Sequence, residues 1–255
     1  MRRKSTFITS PSTPQRRMDE LVSVVLLSEK SGYRMKSYGP TPLLKMGGQC
    51  LIDMQISAIK SVFSNFEVVV CCGFDSEKVI KHIRKNYPDT RIRVVENQIY
   101  QHSNCCESLR LCLNNINNSK VLVSNGSLML DPEILSSIDP SRTHIVSALE
   151  GSRNLDVGFT ADNKGLIQNF SYGINNVWSE MLYLNSIKAI ETLREIISLI
   201  DFKNRFLFEG LNRFIRSVEI SVVPYTAKQL INVNNIKTYH MIRRYYEGTS
   251  TKLHD

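Results

Sequence analysis

Leu27-Ser28-Glu29-Lys30-Ser31-Gly32-Tyr33-Arg34-Met35, running on to Pro40-Thr41-Pro42-Leu43-Leu44-Lys45-Met46-Gly47-Gly48, closes an aliphatic run at residues 21–27. That run is interrupted only by Ser23 and has the pattern of a strand buried on both faces. A polar turn containing Gly32 lets main-chain N–H groups approach a ligand with no Cβ in the way. Arg34 on the same loop carries the forked donor geometry that grips phosphate oxygens. Beyond the loop, apolar residues at 51, 52, 54, 56, 59 and 62 fall at the spacing of an amphipathic helix over 51–63.

The same alternation continues through the first half. Strands are expected at 66–72, 91–95 and 120–124. Helices are expected after Asp75, which could cap one, at 103–116, and from Pro132. Strand–helix alternation argues for a parallel sheet with crossover helices. The second half reads as short strands at 143–148, 155–160, 166–172 and 178–184, with a hairpin turn at Ala161-Asp162-Asn163-Lys164-Gly165. Helices at 186–200 and 206–217, a strand at 218–223 and a helix at 235–246 complete it. No internal repeat or interdomain linker interrupts the chain. The expected organisation is a basic extended arm at 1–18 and one α/β domain at 19–255.

Five segments in order resemble the sugar-phosphate and choline-phosphate nucleotidyltransferases. The loop from Leu27 to Gly48 follows their L-A-A-G-x-G-x-R-M … P-K-P-L-L-x-x-G-G pattern, and Leu51-Ile52 with Gln55-Ile56 continues it. Val68-Val69-Val70 with Gly73-Phe74 matches the second strand and its turn. Asn97, Tyr100, Asn104, Ser108 and Leu109 match an N-x-x-Y-x-x-x-N-x-x-x-S-L stretch. Asp131-Pro132-Glu133-Ile134-Leu135 and Phe208-Glu209-x-x-Asn212 match two later helices. The resemblance implies the nucleotide-diphospho-sugar transferase fold, a Rossmann-like three-layer α/β/α arrangement around a central mixed, mostly parallel sheet. It also implies a nucleotide pocket at Ser28, Lys30, Gly32, Arg34, Thr41, Asn97, Asn104, Gly126, Ser127 and Asn232.

The positions that handle charge in that family depart from its pattern. The first glycine of the loop is Lys30. The lysine of P-K-P, which neutralises the α-phosphate, is Thr41. The aspartate of the G-D pair that holds Mg²⁺ is Ser127, after Gly126, and the later E-I-D carboxylate falls on Asn232. A hydroxyl and an amide are poor Mg²⁺ ligands beside triphosphate oxygens. The reading is therefore a non-catalytic member used for binding or assembly, with no catalytic residue and no metal ligand assigned, and without a cofactor. The alternative is an active Mg²⁺- and NTP-dependent enzyme with relocated ligands, drawing on Lys30, Lys36, Lys45 or Asp131. Trp178, the single tryptophan, is read as a sheet residue or a stacking platform, and Tyr100 and His102 as neighbours of the pocket.

The chain's 255 residues carry a net charge of +8, with five basic side chains and no acid in residues 1–17. Such an arm suits an anionic or protein partner, within a viral particle or another large complex, and allows non-specific nucleic-acid contact. A nucleotide or nucleotide-sugar is the small-molecule partner that the resemblance implies. No apolar run reaches the length of a membrane span, and no secretory leader is read, so the expected location is cytoplasmic, or the virion. The six cysteines show no Cys-x-x-Cys spacing and read as free thiols of a reducing compartment.

Overall fold

The computed structural model of the chain describes residues 20–148, 156–225 and 231–250. The expected arm at 1–18 lies outside them. Strand β1 (Val22–Ser28) is buried along its whole length. After it come a short hairpin, β2 (Lys45–Met46) and β3 (Gln49–Cys50), and then α1 (Leu51–Val62), β4 (Phe66–Cys72), α2 (Ser76–Asn86), β5 (Ile92–Glu96), α3 (Cys105–Leu113) and β6 (Lys120–Asn125). The chain continues with β7 (Leu128–Met129), α4 (Pro132–Ser136), β8 (His144–Ala148), β9 (Val157–Ala161), β10 (Ile167–Tyr172) and β11 (Asn176–Leu184). It closes with α5 (Ile187–Ser198), α6 (Leu207–Phe214), β12 (Ser221–Tyr225), β13 (Ile231–Asn232) and α7 (Ile236–Ser250).

The main sheet runs β10-β9-β11-β6-β1-β4-β5, with β8 joining β11 to β12. Strands β6, β1, β4 and β5 are parallel, as the strand–helix alternation requires. β11 adds antiparallel to β6, and the second half of the chain completes the mixed sheet from there. Alternate residues of β1 enter opposite cores. Val25 and Leu27 pack with α3, α5 and α6, and Val24 and Leu26 pack with α1, α2 and α4. Burial on both faces is why the central strands read as unbroken aliphatic runs. The architecture is three-layer α/β/α.

One local expectation is corrected. Asp75 stands at the N-cap of α2, but its backbone is left-handed (φ 51°) and its side chain makes no capping hydrogen bond. Its carboxylate pairs with Lys78 instead. The closing helix α7 does not lay its tyrosines on the main sheet. Tyr239 and Ile242 enter a separate small core with Met35, Leu44 and Met46, and the Tyr239 hydroxyl donates to the Lys45 carbonyl at 3.1 Å. Helix α7 thereby clasps the loop that follows β1. No described helix is long and apolar enough to cross a membrane.

Candidate ligand cleft at the carboxyl ends of the central strands

Parallel sheets place their loops, and usually their ligands, beyond the carboxyl ends of the strands. Here the ends of β1 and β6 border a cavity of about 240 Å³. Ser28, Glu29, Lys30, Gly32 and Thr41 line it from the β1 loop, Asn104 and Cys105 from the start of α3, and Asn125 and Ser127 from the turn after β6. Trp178 and Glu180 of β11, Phe206, Leu207 and Phe208 at the start of α6, and Asn234 enclose the remainder.

The two halves of the loop are held by close backbone approach. A Cβ at Gly32 would come within 2.6 Å of the Asn234 carbonyl oxygen, and Tyr33 N–H donates to that same oxygen at 2.9 Å. At Gly126 a Cβ would overlap the Ser28 hydroxyl, while Gly126 N–H donates to Leu27 O at 2.8 Å. Both glycines are therefore required by crowding. The turn after β6 is fixed from beneath by Gln55 of α1, fully buried, whose amide donates to the carbonyls of Gly126 at 3.1 Å and Leu128 at 2.6 Å.

Ser127 and Asn232 meet across the short pairing of β7 with β13. Ser127 Oγ lies 2.6 Å from Asn232 Oδ1 and 2.8 Å from Asn125 Oδ1. The structure thus brings together two positions that are 105 residues apart in sequence. Thr41 is buried, and its hydroxyl donates to the Lys30 carbonyl at 3.2 Å, tying the loop to itself. The Lys30 ammonium donates to Asn104 Oδ1 at 3.3 Å, a contact that spans the mouth from the β1 loop to α3.

Three expected pocket residues serve other ends. Arg34 is exposed and outside the cavity lining; its backbone is left-handed (φ 58°) and its guanidinium lies 5.1 Å from the centre of the Tyr33 ring. Asn97 is fully buried beneath the cleft. Its amide nitrogen donates to Ser103 and Ser108 hydroxyls, each at 3.0 Å, and its carbonyl oxygen accepts Ile99 N–H at 3.1 Å. Asn232 touches the cavity through Ser127 alone and is not itself part of the lining. Tyr100 packs over Gly73, and His102 is exposed away from the lining. Trp178 is a sheet residue whose indole N–H donates to Met181 O at 2.9 Å, and it also borders the cavity.

The sequence reading did not assign Glu29 and Glu180 to the cleft. Glu29 is buried, and burial pushes its carboxyl above the ordinary carboxylate value, against the opposing pull of its backbone hydrogen bond, Lys30 and Ser108. Glu180 accepts a hydrogen bond from the Asn125 amide. Burial raises its carboxyl too, and the charges of Asp156 and Glu29 add to that. Glu180 has φ 61°, at an irregularity in the pairing of β11 with β8 between Trp178 and Leu182. A side chain other than glycine in that conformation is strained. Among the described residues neither glutamate forms an ion pair, whereas nearby Glu209 is bound by Arg205 at 2.6 Å. Asp131, Asp53 and Glu107 lie elsewhere: Asp131 caps α4, Asp53 accepts from Cys50 N–H, His82 and Tyr87, and Glu107 pairs with Arg110.

No family model and no curated protein matches the sequence. Solved structures do match. The CTP:phosphocholine cytidylyltransferase of Streptococcus pneumoniae superposes with a TM-score of 0.74 at 14% identity, covering 89% of this chain and 99% of that one. This chain has the nucleotidyltransferase fold. The inositol-1-phosphate CTP transferase of T. maritima matches with a TM-score of 0.67 at 17% identity, over 89% of this chain and 96% of that one. A UDP-glucose pyrophosphorylase bound to UDP-glucose gives 0.69 at 11% identity, over 90% and 99%. The nucleotidyltransferase fold accounts for the cleft's position, the crowding at Gly32 and Gly126, and the mixed sheet. At these identities the likeness concerns the fold.

Proposed function

We propose that this chain uses the nucleotidyltransferase fold to bind a small ligand rather than to catalyse metal-dependent nucleotidyl transfer. One observation carries the reading: at the two positions where the resemblance implies Mg²⁺-binding carboxylates, the Ser127 hydroxyl stands 2.6 Å from the Asn232 amide oxygen. A hydroxyl and an amide bonded to one another present no net negative charge to a divalent ion, so the pair does not fit Mg²⁺. Thr41 adds no cation for a phosphate, and its hydroxyl is taken by the Lys30 carbonyl. Nucleotidyl transfer depends on positioning and charge neutralisation, and this side of the cleft supports only positioning. Lys30, Gly32 and Asn104 remain placed to contact a phosphate-bearing or nucleotide-like ligand at the mouth. In this reading the basic arm engages a protein or anionic partner and recruits the domain to a larger assembly.

A second reading is favoured by one feature, the two carboxylates Glu29 and Glu180 on the same cavity. In it they serve as relocated ligands of a divalent ion in an active enzyme. Thermal shift with each nucleoside triphosphate, with and without Mg²⁺, together with a pyrophosphate-release assay, separates the two. The binding reading expects no Mg²⁺-dependent shift and no pyrophosphate. Wild-type turnover that requires Mg²⁺ overturns it.

A further inference from the structure

Away from the cleft, three side chains of different chemistry converge where α1 meets α2. Cys50, the residue before α1, Asp53 in its first turn and His82 of α2 offer a sulfur, a carboxylate oxygen and a ring nitrogen that all lie within 4.8 Å of one another. None of the three lines the cavity. Cys50 is buried, and the side chains of Asp53 and His82 are 21% and 20% exposed. Asp53 Oδ1 lies 2.7 Å from His82 Nε2 and accepts the Tyr87 hydroxyl, also at 2.7 Å. Asp53 Oδ2 accepts Cys50 N–H at 3.1 Å. The other ring nitrogen, His82 Nδ1, is 3.2 Å from the Asn86 amide nitrogen.

A hydrogen-bonded staple between two helices would need Asp53 and His82 but no thiol, and a thiol is not among the side chains that cap helices well. A nucleophilic cysteine would need a base beside it, but both nitrogens of His82 are engaged elsewhere, by Asp53 and Asn86. An ion accounts for all three groups together. Thiolate, imidazole and carboxylate are the donors that zinc takes. Zinc binds sulfur at about 2.3 Å and nitrogen or oxygen at about 2.0–2.2 Å, so its tetrahedral donors stand about 3.3–3.6 Å apart. Entry between Asp53 Oδ1 and His82 Nε2 opens that contact by about 0.6 Å and draws the sulfur in. A metal-bound imidazole passes its other ring N–H to an oxygen partner, and its carboxylate neighbours are themselves hydrogen-bonded. Asn86, with its amide turned to present the oxygen, and the Tyr87 hydroxyl stand in those two places. On binding, the Cys50 thiol releases its proton to solvent, and the thiolate and the Asp53 carboxylate then balance the charge of the ion.

We propose that Cys50, Asp53 and His82 form a binding site for one zinc ion, with its fourth position left to water. The ion clips α2 to the β2–β3 hairpin and to α1, whose Gln55 holds the turn beneath Ser127. The site stands apart from the cleft and does not depend on what the cleft binds. Its ligands are 29 residues apart between Asp53 and His82, so no short spacing announces it in the sequence.

The intact chain, reduced and stripped with EDTA, is titrated with Zn²⁺ and, in parallel, with Co²⁺. Uptake of one ion per chain and a rise in melting temperature with Zn²⁺ are expected. Co²⁺ is expected to give a thiolate-to-cobalt charge-transfer band together with the visible bands of tetrahedral geometry. Cys50→Ser, which keeps a good helix cap, and His82→Gln are each expected to lose ~100-fold or more in zinc affinity, since partners outside the ligand shell already account for 10–100-fold. In wild type, Zn²⁺ is expected to slow iodoacetamide alkylation of Cys50 and to leave that of Cys105 unchanged, read by peptide mass mapping. That measurement needs no variant, so it decides the matter even if a substitution misfolds. No zinc uptake, uptake without the thiolate band, zinc affinity retained by either folded variant, or Cys50 alkylation indifferent to zinc overturns the proposal. Displacement of zinc by equimolar Mg²⁺, a hard ion that takes oxygen ligands, overturns it as well.

Discussion

Ser127 Oγ and Asn232 Oδ1 stand 2.6 Å apart, joined across the β7–β13 pairing. The backbone that supports them is intact: Val233 N–H donates to Ser127 O at 2.8 Å, and Gln55 holds the flanking carbonyls. This geometry can be converted. Ser127→Asp with Asn232→Asp places two carboxylates at that separation. With charge centres about 4 Å apart, their repulsion is on the order of 4 kcal/mol at an effective dielectric near 20. The double variant is expected to melt well below wild type in EDTA and to regain stability as Mg²⁺ is added, whereas wild type shows no Mg²⁺ dependence. Calorimetric melting over a Mg²⁺ series checks this. A double variant indifferent to Mg²⁺ contradicts the assignment of these positions.

Gln55 carries the next expectation. Its one amide group serves the two carbonyls that shape the turn under Ser127. Gln55→Leu keeps the apolar packing and leaves both carbonyls without that donor. Each such loss costs about 1–3 kcal/mol. Urea denaturation is expected to show a drop of about 2–4 kcal/mol, while Gln49→Leu, at an exposed position, stays near wild type.

The sheet was legible because β1, β4 and β6 are buried on both faces and leave unbroken aliphatic runs, bounded by Gly32, Gly73 and Gly126. The juxtaposition of residues 127 and 232 was legible through the ordered segments that resemble one family. The short strands at 45–46, 49–50, 128–129 and 231–232 were not, since two residues carry no period. Asn97 was read as a pocket residue because spacing cannot tell an amide aimed at a ligand from one that bonds Ser103 and Ser108 beneath it. Glu180 was missed for a different reason. Period-2 alternation assigns a strand residue to a face, and the irregularity between Trp178 and Leu182 breaks that period where Glu180 stands. Its left-handed backbone, which aims it at the cavity, has no signature in a glutamate. Glu29 follows a buried strand directly, and its inward course depends on Phe74 N–H holding its carbonyl at 2.9 Å.

Strain at Glu180 can be separated from charge. Glu180→Gln removes the carboxylate and keeps the strained backbone. Glu180→Gly removes both. The difference in unfolding free energy between the two variants is expected to favour glycine by about 1 kcal/mol or more, despite the lost side chain. A glycine variant no more stable than the glutamine variant would show that the conformation costs nothing.

The raised carboxyls of Glu29 and Glu180 fix the sign of a pH effect. Between the ordinary carboxylate value and the raised one, the folded chain holds protons that the unfolded chain has released. Stability therefore falls as pH rises through that window, the reverse of a salt-bridged carboxylate. This contribution is fully present below the ordinary carboxylate value and is lost once both groups ionise inside the fold. Glu29→Gln with Glu180→Gln is expected to flatten that fall and to melt higher than wild type at neutral pH. Differential scanning calorimetry of wild type and the double variant from pH 5 to pH 7.5 reads the effect. A double variant whose melting temperature falls with pH as steeply as that of wild type would mean that these two carboxyls do not carry the pH effect.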